Sequence, residues 1–256
     1  MKLTKRYIVV AIALMLWPVL NSDAQTAVQY NSWWMYFGNH QISEKLSIHS
    51  EYQWRRSDFA ENWQQSLMRV GLDYHFSEGR MFTAGYGWIE SFPYGEQPIA
   101  ATFTEHRIWQ QGVFKQNFAK FNVHHRYRLE QRFLEQPTTS NTEGSSDPEY
   151  KFKQRGRYRF MVSVPLGPKN DQGGYFFVSA YDEVFLGFGK GIKANVLEQN
   201  RLYFALGWQI KSNVNVQLGY LNQFVLKGDG LHKENNHTLQ TSLTYNIDFR
   251  KAQAEN

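Results

Sequence analysis

The sequence predicts an all-β fold: an antiparallel up-and-down transmembrane β-barrel of about 10–12 strands. Three observations predict it. Apolar and polar residues alternate with period two along nearly the whole chain after Gln25. The alternating runs are about 10–15 residues long, whereas strands of soluble proteins average about 5–6. A polar mean hydropathy of −0.57 coexists with 16% aromatic residues. That combination suits a barrel, in which only every other residue of a strand meets lipid.

The chain opens with a segment that stands apart from the fold. Lys2, Lys5 and Arg6 form a basic head, residues 7–20 are apolar apart from Pro18, and Ser22-Asp23-Ala24 is a small-x-small cleavage site. The order predicts a cleaved signal peptide over 1–24 and a single barrel domain over 25–256. The apolar stretch is too short to cross a bilayer as a helix. The 256 residues contain no cysteine. That excludes disulfides, a thiol nucleophile, a cysteine-ligated metal centre and a lipoprotein anchor. A formal charge of +5 is too mild to indicate nucleic acid as a partner.

The strands are read in order from their alternation. Run 28–38 is the first, and it is weak. The next places Leu46, Ile48, Tyr52 and Trp54 on one face and Ser47, His49, Glu51, Gln53 and Arg55 on the other. The third sets Met68, Val70, Leu72, Tyr74 and Phe76 against Gln65, Arg69, Asp73 and His75. Weaker runs follow at 81–92 and 104–116. Then Phe121, Val123, Tyr127, Leu129 and Phe133 oppose Asn122, His124, Arg126, Arg128, Glu130 and Arg132. Runs 151–165 and 174–187 are again weaker. Over 196–211 and 214–226 the apolar face carries Leu202, Phe204, Leu206 and Trp208, then Val216, Leu218 and Tyr220. The last run carries Leu239, Leu243, Tyr245, Ile247 and Phe249.

Three features support this division. The prolines at 93, 98, 137, 148, 165 and 168 fall in connections or at a strand end, where no ladder hydrogen bond is lost. Connections alternate between short (77–80, 117–118, 211–213) and long (93–103, 135–150, 227–235), as periplasmic turns and outer loops do. Phe121 and Phe133 lie roughly 30 Å apart along a tilted strand, near the separation of two aromatic girdles. One feature conflicts. The runs number about eleven, whereas bacterial barrels usually have an even count with both termini in the periplasm. Counting back from a periplasmic Phe249, run 28–38 would start outside.

With the apolar face turned to lipid, the other face lines the lumen and is rich in ions. Arg126, Arg128 and Arg132 share one strand, and Arg155, Arg157 and Arg159 share the next, so six arginines crowd one wall. Arg55, Arg69, Arg107 and Arg201 point the same way. Glu51, Glu105, Glu130 and Glu183 are the available counter-charges. Two readings stand: cross-barrel ion pairs filling a narrow lumen, or a basic constriction that attracts anions. The first is preferred because glutamates share the arginine faces.

No enzyme signature occurs. There is no GxSxG elbow and no P-loop. Gly187-Phe-Gly189-Lys-Gly191 leads into no helix and reads as a flexible connection. His124 and His125 are adjacent and point to opposite sides of a strand, so they do not chelate one ion together. No catalytic residue, metal or cofactor is assigned.

The pieces Lys45–Arg55, Glu105–Gln111, His125–Phe133, Asp182–Phe185 and Glu198–Tyr203, with Trp33-Trp34 ahead of them, carry recurring motifs such as Arg-x-Arg-x-Glu-x-Arg and Gln-Asn-Arg. In these the chain resembles the domain-of-unknown-function family numbered 2490, found in secreted bacterial proteins. The resemblance covers nearly all of the chain after residue 24. It implies an outer-membrane-type barrel and supplies no catalytic residues.

The expectation is thus a barrel exported to the Gram-negative outer membrane, as a small pore, a ligand-binding barrel or a structural protein. Its expected surroundings are outer-membrane lipid and lipopolysaccharide, with the barrel-assembly machinery as insertion partner. The alternatives are an outer-membrane lipid hydrolase, which needs a Ser–His pair on the outer face, and a soluble secreted lipid-binding barrel, which needs an apolar interior.

Overall fold

The computed structural model describes residues 26–136, 148–190, 192 and 195–250. The expected signal peptide over 1–24, Pro137 and Gly191 lie outside the described residues. Alternation of the kind read above forces each strand to show one face to each side of a sheet, and here the sheet closes on itself. Eleven strands are described: β1 (Thr26–Gln41), β2 (Leu46–Ser57), β3 (Asn62–Ser77), β4 (Arg80–Ser91), β5 (Phe103–Asn117), β6 (Asn122–Glu135), β7 (Tyr150–Pro165), β8 (Tyr175–Phe188), β9 (Leu197–Lys211), β10 (Val214–Leu226) and β11 (Lys233–Tyr245). Sequential neighbours pair antiparallel, and β1 closes the barrel on β11.

That closure corrects the wholly antiparallel expectation. β1 and β11 are parallel, in register from Thr26↔Lys233 to Phe37↔Thr244. The reason is parity. A chain that reverses at every turn has its first and eleventh strands pointing the same way, so only a parallel ladder can join them. Parallel pairing is only slightly less stable per residue. The start of β1 therefore sits with the longer connections (92–102, 136–149, 189–196, 227–232), and the end of β11 with the turns 78–79, 118–121 and 212–213. The alternation of lengths is looser than expected. The link 58–61 is short at the long-loop end, and 166–174 is nine residues at the other.

Two further boundaries differ from the sequence reading. The last strand runs Lys233–Tyr245, and Phe249 lies beyond it, past an isolated bridge between Gln41 and Asp248. Gly187 and Phe188 belong to β8 rather than to a loop. Gly187 lies beside Glu198 and Ile192, where a Cβ would come within 2.9 Å of Glu198 Oε1.

The outward face is apolar. Met68 and Val70 on β3 are 52% exposed and Leu206 on β9 is 54% exposed, alongside Leu72, Leu218 and Leu239. Aromatic contacts occur at both rims, and one lies at mid-height between Tyr127 and Tyr158, 4.9 Å apart. Trp34, Trp54, Trp63 and Phe92 form a chain of ring contacts at the long-loop end, with centroids 4.9, 6.1 and 5.4 Å apart. Phe118–Phe121 and Phe176–Trp208 stack at the short-turn end. Outward polar side chains are paired with each other. His106 takes hydrogen bonds with Tyr86 (2.5 Å) and Tyr150 (3.3 Å), His237 with Tyr220 (2.5 Å) and His125 with Tyr158 (2.9 Å). Asn200 donates to Asp182 at 2.6 Å.

The inward face is mixed. Trp33, Tyr181, Tyr203, Ala205 and Leu221 form one apolar sector, and charged residues fill the rest. Glycine makes room for a second tryptophan. Gly71 faces Gly85 across β3 and β4, and Gly85 faces Trp109 across β4 and β5. A Cβ on Gly85 would stand 2.8 Å from the Trp109 ring and strike the Val70 carbonyl. Gly85→Val is therefore expected to destabilise the barrel by about 1–3 kcal/mol through overpacking. A urea midpoint equal to that of the parent would refute this.

Candidate functional site

The charged side chains meet at mid-height in the lumen because strand register brings them level. Across β6 and β7, Glu130 faces Arg155, Arg128 faces Arg157 and Arg126 faces Arg159. Like charges so placed would repel. Carboxylates inserted between them offset this. Glu130 is fully buried. It accepts from Arg155 Nη2 at 2.6 Å and Nε at 3.0 Å, and from Arg157 Nη1 at 2.8 Å. Arg69, Arg107 and Arg128 reach it at 3.5, 3.7 and 3.9 Å.

Three glutamates repeat the pattern around it. Glu183 on β8 accepts from Arg126 at 2.6 Å and from Arg157 Nη2 and Nε at 2.8 and 3.0 Å. Glu105 on β5 accepts from Arg107 Nε and Arg132 Nε, each at 2.7 Å. Glu51 on β2 accepts from Arg69 at 2.5 Å and from Gln53. Arg128 donates to the Gln111 carbonyl at 2.7 and 3.1 Å and lies 4.7 Å over the Trp109 ring. Arg159 lies over the Tyr181 ring. Arg55 and Arg201 lie toward the long-loop end, against Trp33.

Several contacts join strands that are not neighbours, among them Arg126 of β6 with Glu183 of β8. Arg69 of β3 reaches Glu130 of β6. Glu198 of β9 accepts from Arg155 of β7 at 3.2 Å and pairs with Arg132 of β6 at 3.6 Å. Glu198 was not among the lumen residues read from the sequence. Its neighbours Gln199 and Arg201 claim the inward parity. The register between β8 and β9 slips between Phe185 and Leu186, which face Gln199 and Leu197, and the extra residue swings Glu198 inward as a bulge does. Asp73, which accepts from Thr83 and Asn39 at 2.5 Å, is a smaller polar centre toward the short-turn end.

Above the network, toward the long-loop end, lies a cavity of about 200 Å³. Trp33, Arg55, Arg201, Gln199, Gln223 and Phe185 are among its walls, and Phe92, Tyr94 and Ile99 of the 92–102 segment reach over it. Tyr94 donates to Glu234 of β11 at 3.3 Å, and Lys227 pairs with the same carboxylate. Burial and the Glu234 charge push the Tyr94 phenol above its ordinary value, so it remains a donor across the neutral range.

A family profile described as "Protein of unknown function (DUF2490)" matches residues 30–249. The chain belongs to the DUF2490 family. Among solved structures it is similar to the siderophore receptor PirA from Pseudomonas aeruginosa, at 10% identity and a TM-score of 0.29. The match covers 72% of this chain and 32% of that one, so the chain spans about a third of the receptor's length. No curated relative matches in sequence.

Two chemical alternatives can be judged on this DUF2490 barrel. An apolar interior, as a soluble lipid-binding barrel requires, is not what the lumen contains: the distribution is charged inside and apolar outside. A Ser–His pair does exist on the outer face, with Ser50 Oγ and His40 Nε2 2.8 Å apart. Its surroundings oppose hydrolysis. The Ile247 backbone N–H donates to His40 Nδ1 at 3.3 Å, so the proton belongs on Nε2, which then donates to Ser50 or Tyr36. A catalytic base needs the reverse, a bare Nε2 facing the serine and an acid holding Nδ1–H. Inside, Ser47 and His75 are 2.7 Å apart, but Asp73 bonds to the serine rather than to the histidine. His49 lies against Glu51 at 3.4 Å, and no group of three potential metal ligands occurs among the described residues.

Proposed function

We propose that the chain is an outer-membrane β-barrel of Gram-negative bacteria, exported through its N-terminal signal segment. Its lumen is sealed at mid-height by the arginine–glutamate network, leaving a vestibule toward the long-loop side. It acts as a ligand-binding or structural barrel rather than an open pore. The reading rests on one observation above all: Glu130, at the centre of the lumen, has no solvent exposure and is held by arginines from several strands. An open aqueous pore would leave its central charges wet.

The outward face supports the membrane setting. It is largely apolar with aromatic contacts at both rims, and its polar groups are hydrogen-bonded, the histidines to tyrosines and Asn200 to Asp182, as polar groups facing hydrocarbon must be. Outer-membrane lipid and lipopolysaccharide would then be its surroundings, and the barrel-assembly machinery its route of insertion.

The test has two arms. The protein is expected to fractionate with the outer membrane, to need detergent for extraction and to migrate faster unheated than boiled. Recovery from the soluble periplasm without detergent overturns the location. Reconstituted in planar bilayers, it is expected to pass no steady ohmic current. Reproducible open-channel steps would replace the sealed barrel with a pore.

A further inference from the structure

Two guanidinium groups of the vestibule stand outside the network. Arg55 of β2 and Arg201 of β9 are each only 8% exposed. Glu51, Glu105, Glu130 and Glu183 pair with other arginines and Glu234 with Lys227. Among the described residues neither Arg55 nor Arg201 has a carboxylate partner. Arg55 donates to Gln65 Oε1 at 2.7 Å and to Gln53. Arg201 donates from Nη2 to Gln199 Oε1 at 3.3 Å, and its buried Nε has no acceptor among the described residues. Both lie against one ring: the Arg55 guanidinium carbon is 4.0 Å and that of Arg201 5.1 Å from the Trp33 centroid.

Two enclosed like charges beside one indole repel strongly, and neutral amides relieve this only in part. A cavity adjoins both, and the amide-bearing Gln65, Gln199 and Gln223 also line it. We propose that the vestibule binds a small oxyanion, of the phosphate or carboxylate class, between Arg55 and Arg201. A guanidinium fork presents two parallel donors to two oxygens of such a group, and the free Arg201 Nε–H is one of them. The cavity volume holds one such ion with some of its water. Among the described residues Arg159 also lacks a carboxylate partner, but it lies against Tyr181 and outside the cavity lining.

The proposal rests on the sealed-lumen reading, since an anion above a plug is retained whereas one in an open pore passes. Calorimetric titration of the detergent-solubilised protein tests it. Inorganic phosphate and, separately, succinate are titrated at constant ionic strength in a chloride background. At least one is expected to bind saturably with one site per chain, and which one does so identifies the oxyanion. Arg55→Gln and Arg201→Gln are each expected to weaken binding roughly tenfold or more, whereas Arg159→Gln leaves it unchanged. Without added anion, Arg201→Gln is expected to melt no lower than the parent, because it removes repulsion. Should a glutamine variant fail to fold, Arg201→Lys keeps the charge but not the fork, and it is expected to bind more weakly than the parent. No saturable heat with either anion, or equal affinity in the folded variants, overturns the site. Closed bilayers with no anion binding would sink this proposal alone, and open-channel steps would sink the sealed lumen beneath it.

Discussion

Glu130→Ala is expected to cost the barrel about 3–5 kcal/mol, the penalty for removing one partner of a buried ionic cluster. Arg155 and Arg157 both donate to this carboxylate, and three more guanidiniums lie within 3.9 Å of it. Alanine leaves these buried cations facing each other without the carboxylate between them. Glu130→Gln retains an acceptor of the same shape and should fall between alanine and the parent. The effect is asymmetric in charge. Arg128→Ala should cost less, because Arg128 bonds chiefly to the neutral Gln111 carbonyl and Glu130 keeps Arg155 and Arg157. Urea titration in detergent micelles, followed by gel mobility and tryptophan fluorescence, measures both. An alanine variant as resistant as the parent would show that the cluster does not hold the lumen together.

The wall of the barrel was legible because one physical rule governs it. A strand between two unlike media must alternate, so 214–226 could be read from Val214, Val216, Leu218, Tyr220, Phe224 and Leu226 against Asn215, Gln217 and Gln223, and it coincides with β10. The rule fails where both faces are polar or the backbone slips. β11 begins with Glu234 and Asn236 inside but Asn235 and His237 outside, so its first half gives no apolar rhythm. Ile247 and Phe249 carry the rhythm past the strand's end. Glu198 was missed because a bulge changes parity without changing composition. Trp33 and Trp109 point inward against the apolar-out rule, and the pairing of Trp109 with Gly85 that permits this depends on cross-strand register. The parallel seam follows from counting to eleven. The arginine side of the lumen was readable from parity, whereas the isolation of Arg55 and Arg201 needed the distances between strands.

Val70→Arg separates a membrane-embedded wall from a water-exposed one. Val70 lies midway along β3, opposite Ser50 on β2 and Tyr86 on β4, with its side chain outward and 52% exposed. If that side faces hydrocarbon, arginine there is expected to cost about 2–4 kcal/mol, and the same change at Phe76, near the short-turn rim, only about 0–1 kcal/mol. If it faces water, both are surface substitutions within about 0.5 kcal/mol of the parent. Folding free energies from urea titrations in lipid vesicles read the difference, and equal costs at the two positions would remove the bilayer from the account. The substitution is independent of Glu130, since the two side chains lie on opposite sides of the wall. A large loss at Glu130 with none at Val70 would leave a water-soluble barrel with an ionic core. Large losses at both require an ionic interior and a hydrocarbon exterior together, the arrangement in which a narrow barrel is held shut from within while lipid holds it from without.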